Sequence, residues 1–280
     1  MELKSFQLPL WKTEKHALTP QKDFQPQLTV SLINDGKIHP AMLVFPGGGY
    51  QSRTMFERDP IAEAFNKNGF HAFCCDYRLG GLDGNPFPAP IEDAIRAVRL
   101  IRGNAADWKV APNQIATIGF SAGGHLAVFE GLCYKKFQAH NNDIFDDICA
   151  RPDAVVTCYG VNSGFAGEHP HIGSFNNLLN KKDLTEQDLH ETACDENVTP
   201  DAPPAFIWHT MTDECVPVEN AINLAQAYRK NNVPYELHVF PRGPHALGLA
   251  EDCPFPEVAL WVPLCMNFLK ISVFQLQQTN

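Results

Sequence analysis

Residues 114–132 read QIATIGFSAGGHLAVFEGL. The apolar run Gln114–Phe120 reads as a strand, and Ala122–Leu132 reads as a helix. Between them lies Gly119-Phe120-Ser121-Ala122-Gly123-Gly124, a Gly-x-Ser-x-Gly pattern at a strand-to-helix junction. In that context the serine sits on a sharp, strained turn with its hydroxyl projecting above the sheet. The glycines have a steric role, because a Cβ two residues before or after the serine would clash with the backbone of the turn. This reading makes Ser121 a nucleophile rather than part of a plain connection.

Outward from this motif, short apolar runs alternate with longer amphipathic ones. Leu28–Ile33, Ala41–Phe45, His71–Cys75, Ala154–Tyr159, Ala205–His209 and Tyr235–Phe240 are predicted strands. Helices are predicted over 56–68, 91–106, 218–231 and 256–271, with Pro263 expected to kink or split the last. The alternation predicts an α/β fold, a mostly parallel central sheet flanked by helices on both faces, in a single domain over 1–280. Two polar, irregular stretches, 134–150 and 161–200, break the rhythm and are expected to be lid or substrate-loop insertions.

A serine hydroxyl is a poor nucleophile near neutral pH and needs a general base. Where such a serine follows a strand in this way, the acid and then the histidine come later in the chain. Asp213 lies in the turn after Ala205–His209, with Glu214 as its nearest competitor. His245 lies in Pro241-Arg242-Gly243-Pro244-His245, just past the last strand. Of the other histidines, His125 falls one helical turn after Ser121 and is expected to pack on the buried helix face. His209 ends a strand and is expected in the core. Pro46-Gly47-Gly48-Gly49-Tyr50 follows the strand Ala41–Phe45, so its glycines can turn N–H groups toward a substrate carbonyl. The expected oxyanion donors are Gly48, Gly49 and Ala122, and Tyr50 and Phe120 are expected to bind substrate. Phosphate binding is excluded, since neither Gly-rich phosphate spacing is satisfied.

The bulk numbers agree with a globular enzyme. The chain has 280 residues, 44% hydrophobic and 19% charged, with a formal net charge of -10. That charge disfavours nucleic acid and anionic membranes as partners. No 18-residue uninterrupted apolar run and no secretory leader are visible, and nine cysteines without Cys-x-x-Cys spacing suit a reducing, cytoplasmic setting. His169-Pro170-His171 is a weak metal pattern, and no metal site is expected. The sequence leaves the oligomeric state open, a homodimer included.

The motifs PGGGY, DYRL at Asp76–Leu79 and GFSAGGHLA, with the Asp213 and His245 loops, resemble the esterase/lipase branch of the α/β-hydrolases. The resemblance is to bacterial carbohydrate or acetyl-xylan esterase-like proteins related to the hormone-sensitive-lipase type, and it runs from about residue 30 onward. It implies hydrolysis of small, short-acyl esters, acetylated sugars among them, through an acyl-enzyme and without a cofactor. The same three groups serve amidases, thioesterases and peptidases, and a silent binding protein can share the fold. One departure is Pro46, where many relatives carry a loop-stabilising histidine, so the change bears on the conformation of the glycine turn.

Overall fold

The structure is a computed structural model that describes residues 1–11, 24–80, 87–137, 141–168 and 170–276. In chain order its elements are β1 (Leu3–Pro9), β2 (Gln27–Ile33), β3 (His39–Phe45), α1 (Asp59–Lys67), β4 (His71–Asp76), α2 (Ala89–Gly103) and α3 (Ala105–Trp108). Then come β5 (Val110–Phe120), α4 (Ala122–Cys133), β6 (Ala154–Cys158), α5 (Ile172–Leu179), α6 (Glu186–Thr192), β7 (Ala205–Thr210), α7 (Glu219–Lys230), β8 (Tyr235–Phe240) and α8 (Trp261–Asn267). The strands form one sheet in the order β1-β2-β4-β3-β5-β6-β7-β8. β2 runs antiparallel to β1 and β4, and every pair from β4 to β8 is parallel.

The central strands are apolar on both faces because both faces are covered. Along β3, Leu43 and Phe45 face one layer and Met42 and Val44 the other, the period-two alternation of a strand. The first layer holds Ile91, Ile95 and Val98 of α2, Leu126 and Phe129 of α4, and Leu224 of α7. The second holds Ile61 and Phe65 of α1, with Trp261, Cys265 and Phe268 of the C-terminal helical run.

Each strand predicted from the sequence is present, and β5 begins earlier, at Val110. β1 was not anticipated. It is an edge strand whose residues are exposed or half-buried, so it carries little apolar signal. The predicted 91–106 helix breaks at Asn104 into α2 and α3. The 256–271 helix is divided as the proline suggested: a 3-10 turn over Pro256–Leu260, then α8, then a π-helical stretch over Phe268–Val273. Pro263 stands in the first turn of α8, where an N–H has no helical acceptor to lose. By length and composition Pro256–Val273 could cross a membrane (mean hydropathy 1.2). Its Val258, Trp261, Cys265 and Leu269 are nevertheless fully buried against the sheet.

The 161–200 insertion contains α5 and α6, the latter closed by a reciprocal Thr185–Asp188 capping box. The described part of 134–150 has neither helix nor strand. All nine cysteines are free thiols.

Candidate active site

The site lies at the carboxyl ends of the parallel strands, the edge where open α/β sheets take their ligands. β3 and β5 are neighbours with Phe45 opposite Gly119, so the glycine turn after β3 and Ser121 after β5 emerge side by side. β7 and β8 end in the loops that carry Asp213 and His245.

Ser121 has φ 52° and ψ -119°, a conformation that L-residues rarely adopt and that is costly by about 1–3 kcal/mol. Its surroundings enforce it. Ser121 N donates to Cys158 O at 3.0 Å, and Ser121 O accepts from His125 N and Val161 N. A Cβ on Gly119 would overlap the carbonyl of Gly123, and one on Gly123 would overlap the carbonyl of Phe45. One on Gly124 would press on Thr157 Oγ1 at 2.8 Å. Each glycine of the motif therefore has a named obstacle.

His245 Nε2 lies 2.9 Å from Ser121 Oγ, and His245 Nδ1 lies 2.6 Å from Asp213 Oδ2. Asp213 Oδ1 accepts from the N–H groups of Cys215 and Val216, both at 2.9 Å. His209 Nε2 donates to Val216 O at 2.9 Å and lies 3.3 Å from Asp213 Oδ2. Burial alone would raise the Asp213 pKa, but hydrogen bonds from His209 and His245 outweigh it and hold the carboxyl well below the usual carboxylate range. An ionised Asp213 keeps the proton of a neutral His245 on Nδ1, so Nε2 can accept the Ser121 hydroxyl proton. Glu214, the competitor in sequence, is exposed and takes no part.

The glycine turn is built from left-handed residues: φ is +121° at Gly48, +63° at Gly49 and +59° at Tyr50. A Cβ on Gly48 would overlap the Ser52 carbonyl. Gly47 N donates to Glu57 Oε2 at 3.0 Å. The N–H groups of Gly48, Gly49 and Ala122 have no acceptor among the described residues. Ala122 opens α4, so its N–H also stands at the positive end of that helix.

Around this turn is a set of groups that the sequence did not reveal. Glu57 is 1% exposed, and its Oε1 accepts from Tyr159 OH at 2.7 Å. Tyr159 OH in turn accepts from Gly248 N at 2.8 Å, and the Tyr159 ring meets His245 edge-on with centroids 5.0 Å apart. Burial raises the Glu57 pKa against the lowering effect of these hydrogen bonds. Tyr77 OH donates to Pro46 O at 2.7 Å, so Tyr77 and Glu57 together fix the turn although Pro46 offers no side-chain hydrogen bond. Tyr159 directly follows β6 at the carboxyl edge, and that position was a usable signal. Glu57 had none.

Two sequence assignments are corrected. Tyr50 is 1% exposed, with its hydroxyl 2.6 Å from His125 Nδ1. The left-handed turn folds it inward, where it supports the glycine loop rather than meeting a ligand. Phe120 is fully buried against Tyr159 and Trp261, because strand alternation sends it into the layer of the C-terminal helices. His125 lies on the buried helix face as expected. Its Nε2 donates to Thr192 O at 2.8 Å, and burial lowers its pKa to about 4. The 161–200 segment is thus bonded to the site at several points, among them Val161 N to Ser121 O, Thr192 O to His125 Nε2, and Asn177 Nδ2, which donates to Gly49 O at 2.8 Å. His169 of the weak metal pattern lies outside the described residues.

The arrangement can abstract a proton from a buried-edge hydroxyl and stabilise an oxyanion beside it, which is the equipment for acyl transfer. The BD-FAE family model matches residues 31–228. The structure of an acetyl ester-xyloside bifunctional hydrolase from Caldicellulosiruptor lactoaceticus is 36% identical, with a TM-score of 0.86 over 97% of both chains. Endo-1,4-beta-xylanase B of Butyrivibrio fibrisolvens is 34% identical over 252 residues, covering 90% of this chain and 39% of that protein. Acetylxylan esterase of Xylanibacter ruminicola is 27% identical over 248 residues, covering 83% of this chain and 48% of that protein. The chain spans less than half the length of these two curated relatives. With a family match over most of its length and esterases as its structural neighbours, the chain belongs to the BD-FAE family of α/β-hydrolase fold proteins.

Proposed function

We propose that this chain is a serine carboxylic-ester hydrolase that removes short acyl groups, acetyl foremost, from carbohydrate hydroxyls. The observation that carries the reading is the continuous relay Ser121 Oγ–His245 Nε2 at 2.9 Å and His245 Nδ1–Asp213 Oδ2 at 2.6 Å, beside three N–H groups without an acceptor among the described residues. Relatives described as xylanase, acetylxylan esterase and acetyl ester-xyloside hydrolase support the sugar ester.

In the first half-reaction His245 takes the Ser121 proton as Oγ attacks the ester carbonyl carbon. The carbonyl oxygen becomes an oxyanion held by the N–H groups of Gly48, Gly49 and Ala122, each worth about 3 kcal/mol of transition-state stabilisation. The imidazolium, stabilised by ionised Asp213, returns its proton to the departing alkoxide as the C–O bond breaks. Water then attacks the acyl-Ser121 ester by the same route, giving the carboxylic acid and restoring the serine.

The test is acetate release from acetylated xylo-oligosaccharides, together with a p-nitrophenyl ester series from acetate to octanoate. The reading expects acetate release and a preference for short chains, both abolished in Ser121→Ala. Octanoate as the best ester, or turnover by Ser121→Ala equal to wild type, contradicts it.

A further inference from the structure

The reaction chemistry has no use for His171, yet the fold holds its ring close to the relay. His171 immediately precedes α5, the insertion helix that Asn177 ties to the glycine turn. Its Nδ1 is 3.0 Å from Ser174 Oγ, and Ser174 Oγ sits 3.8 Å from where a Cβ on Gly49 would lie. Ser174 thus stands beside Gly49 and holds the imidazole of His171 on the same side of the fold as the oxyanion turn. The ring is half-buried, and both His245 and Asp213 act on it electrostatically. Its Nε2 has no partner among the described residues.

During acylation the alcohol leaves on the side of His245 Nε2, since that nitrogen delivers its proton. Burial above all, and positive charge on His245 whenever it is protonated, lower the His171 pKa, which favours the neutral ring. A neutral ring does not oppose the imidazolium that forms on His245. With Nδ1 engaged by Ser174, a neutral imidazole offers one nitrogen able to donate to or accept from a hydroxyl. Simple aryl or alkyl esters have no group for it, whereas a partly acetylated sugar presents a hydroxyl next to the ester.

We propose that His171 is a specificity-determining residue whose Nε2 hydrogen-bonds a hydroxyl of the departing polyol next to the scissile ester. The inference rests on the ester-hydrolase reading above and adds the residue that selects hydroxylated alcohols.

The experiment compares wild type, His171→Ala and His171→Gln on two matched pairs: acetylated xylotriose against p-nitrophenyl acetate, and 1-acetylglycerol against ethyl acetate. One hydrogen bond predicts about a tenfold loss of kcat/KM for the hydroxylated ester of each pair in His171→Ala, mainly through KM. The unhydroxylated ester should stay within twofold, and His171→Gln, which keeps a hydrogen-bonding side chain, should recover part of the loss. Parallel loss on both members of a pair would make the role structural and overturn the proposal, as would no loss on either. If wild type hydrolyses p-nitrophenyl acetate but ignores acetylated xylotriose, the carbohydrate reading falls. The glycerol pair then still decides the role of His171. Should His171→Ala not fold, His171→Gln and His171→Asn on the same pairs decide it, with equal discrimination to wild type in Asn, whose shorter side chain withdraws the group, counting against the proposal.

Discussion

Replacing Asp213 with asparagine tests the relay at its buried end. The wild-type carboxylate accepts two backbone N–H groups on Oδ1 and faces His245 Nδ1 and His209 Nε2 on Oδ2. An asparagine fits the same space. Its carbonyl oxygen would keep the two backbone donors, which places its NH2 group against His245 Nδ1. Two donors cannot face each other, so the His245 proton moves to Nε2, pointing at Ser121, and the base is lost. The negative charge that stabilises the imidazolium is lost as well. At an effective dielectric near 20, charges about 4 Å apart interact by about 4 kcal/mol. The same substitution in a comparable relay lowers kcat about ten-thousandfold, or ~5 kcal/mol at 1.36 kcal/mol per tenfold. The two figures agree, and we expect kcat on p-nitrophenyl acetate to fall by three to four powers of ten while KM changes little. His209 retains its bond to Val216 O, so circular dichroism should show a folded protein. A variant that kept more than a tenth of wild-type kcat would refute the argument.

Two further predictions concern the groups around the oxyanion turn. Tyr50→Phe strips the buried His125 Nδ1 of its donor and should lower unfolding free energy by about 1–3 kcal/mol in urea titration. It should also lower kcat more than it raises KM, because Gly48 and Gly49 lose an anchor; a stability loss with unchanged kcat would mean the turn stands without it. Acid should destabilise the fold through His125. Its folded-state pKa of about 4 lies below the ordinary 6.5, so above pH 6.5 it contributes nothing, and from pH 6.5 down to about 4 the unfolded chain binds a proton that the native state refuses. That difference amounts to roughly 3 kcal/mol by pH 4. His71, also lowered to about 4, adds in the same direction, while Asp195, raised to about 6, opposes it. The stability gap between wild type and His125→Gln should therefore narrow by roughly 3 kcal/mol between pH 7 and pH 4; a constant gap would contradict the assignment.

The sharp turn at Ser121 was legible because three glycines and a strand-helix junction leave few alternatives, and each glycine has a specific obstacle. The Asp213 and His245 loops were legible from their places after β7 and β8. The misassigned residues share a cause. Tyr50 and Phe120 adjoin the site in sequence, but a left-handed turn and strand alternation send their side chains inward. Sequence proximity says nothing about side-chain direction at an irregular turn. Tyr159 had its place after β6 as a signal, but Glu57, the Glu57–Tyr159–Gly248 contacts and the His125 bridge were invisible for the opposite reason. They meet the site only through contacts between residues 57 and 159, 159 and 248, and 125 and 192, and no local pattern encodes these. β1 was missed because a solvated edge strand need not be apolar.

Intact-protein and peptide mass spectrometry after fluorophosphonate treatment, followed alongside esterase activity, shows whether Ser121 is the nucleophile. We expect a single adduct on Ser121, with activity lost in proportion to labelling and no adduct on Ser121→Ala. An adduct elsewhere, or full esterase activity with Ser121 completely labelled, would contradict it.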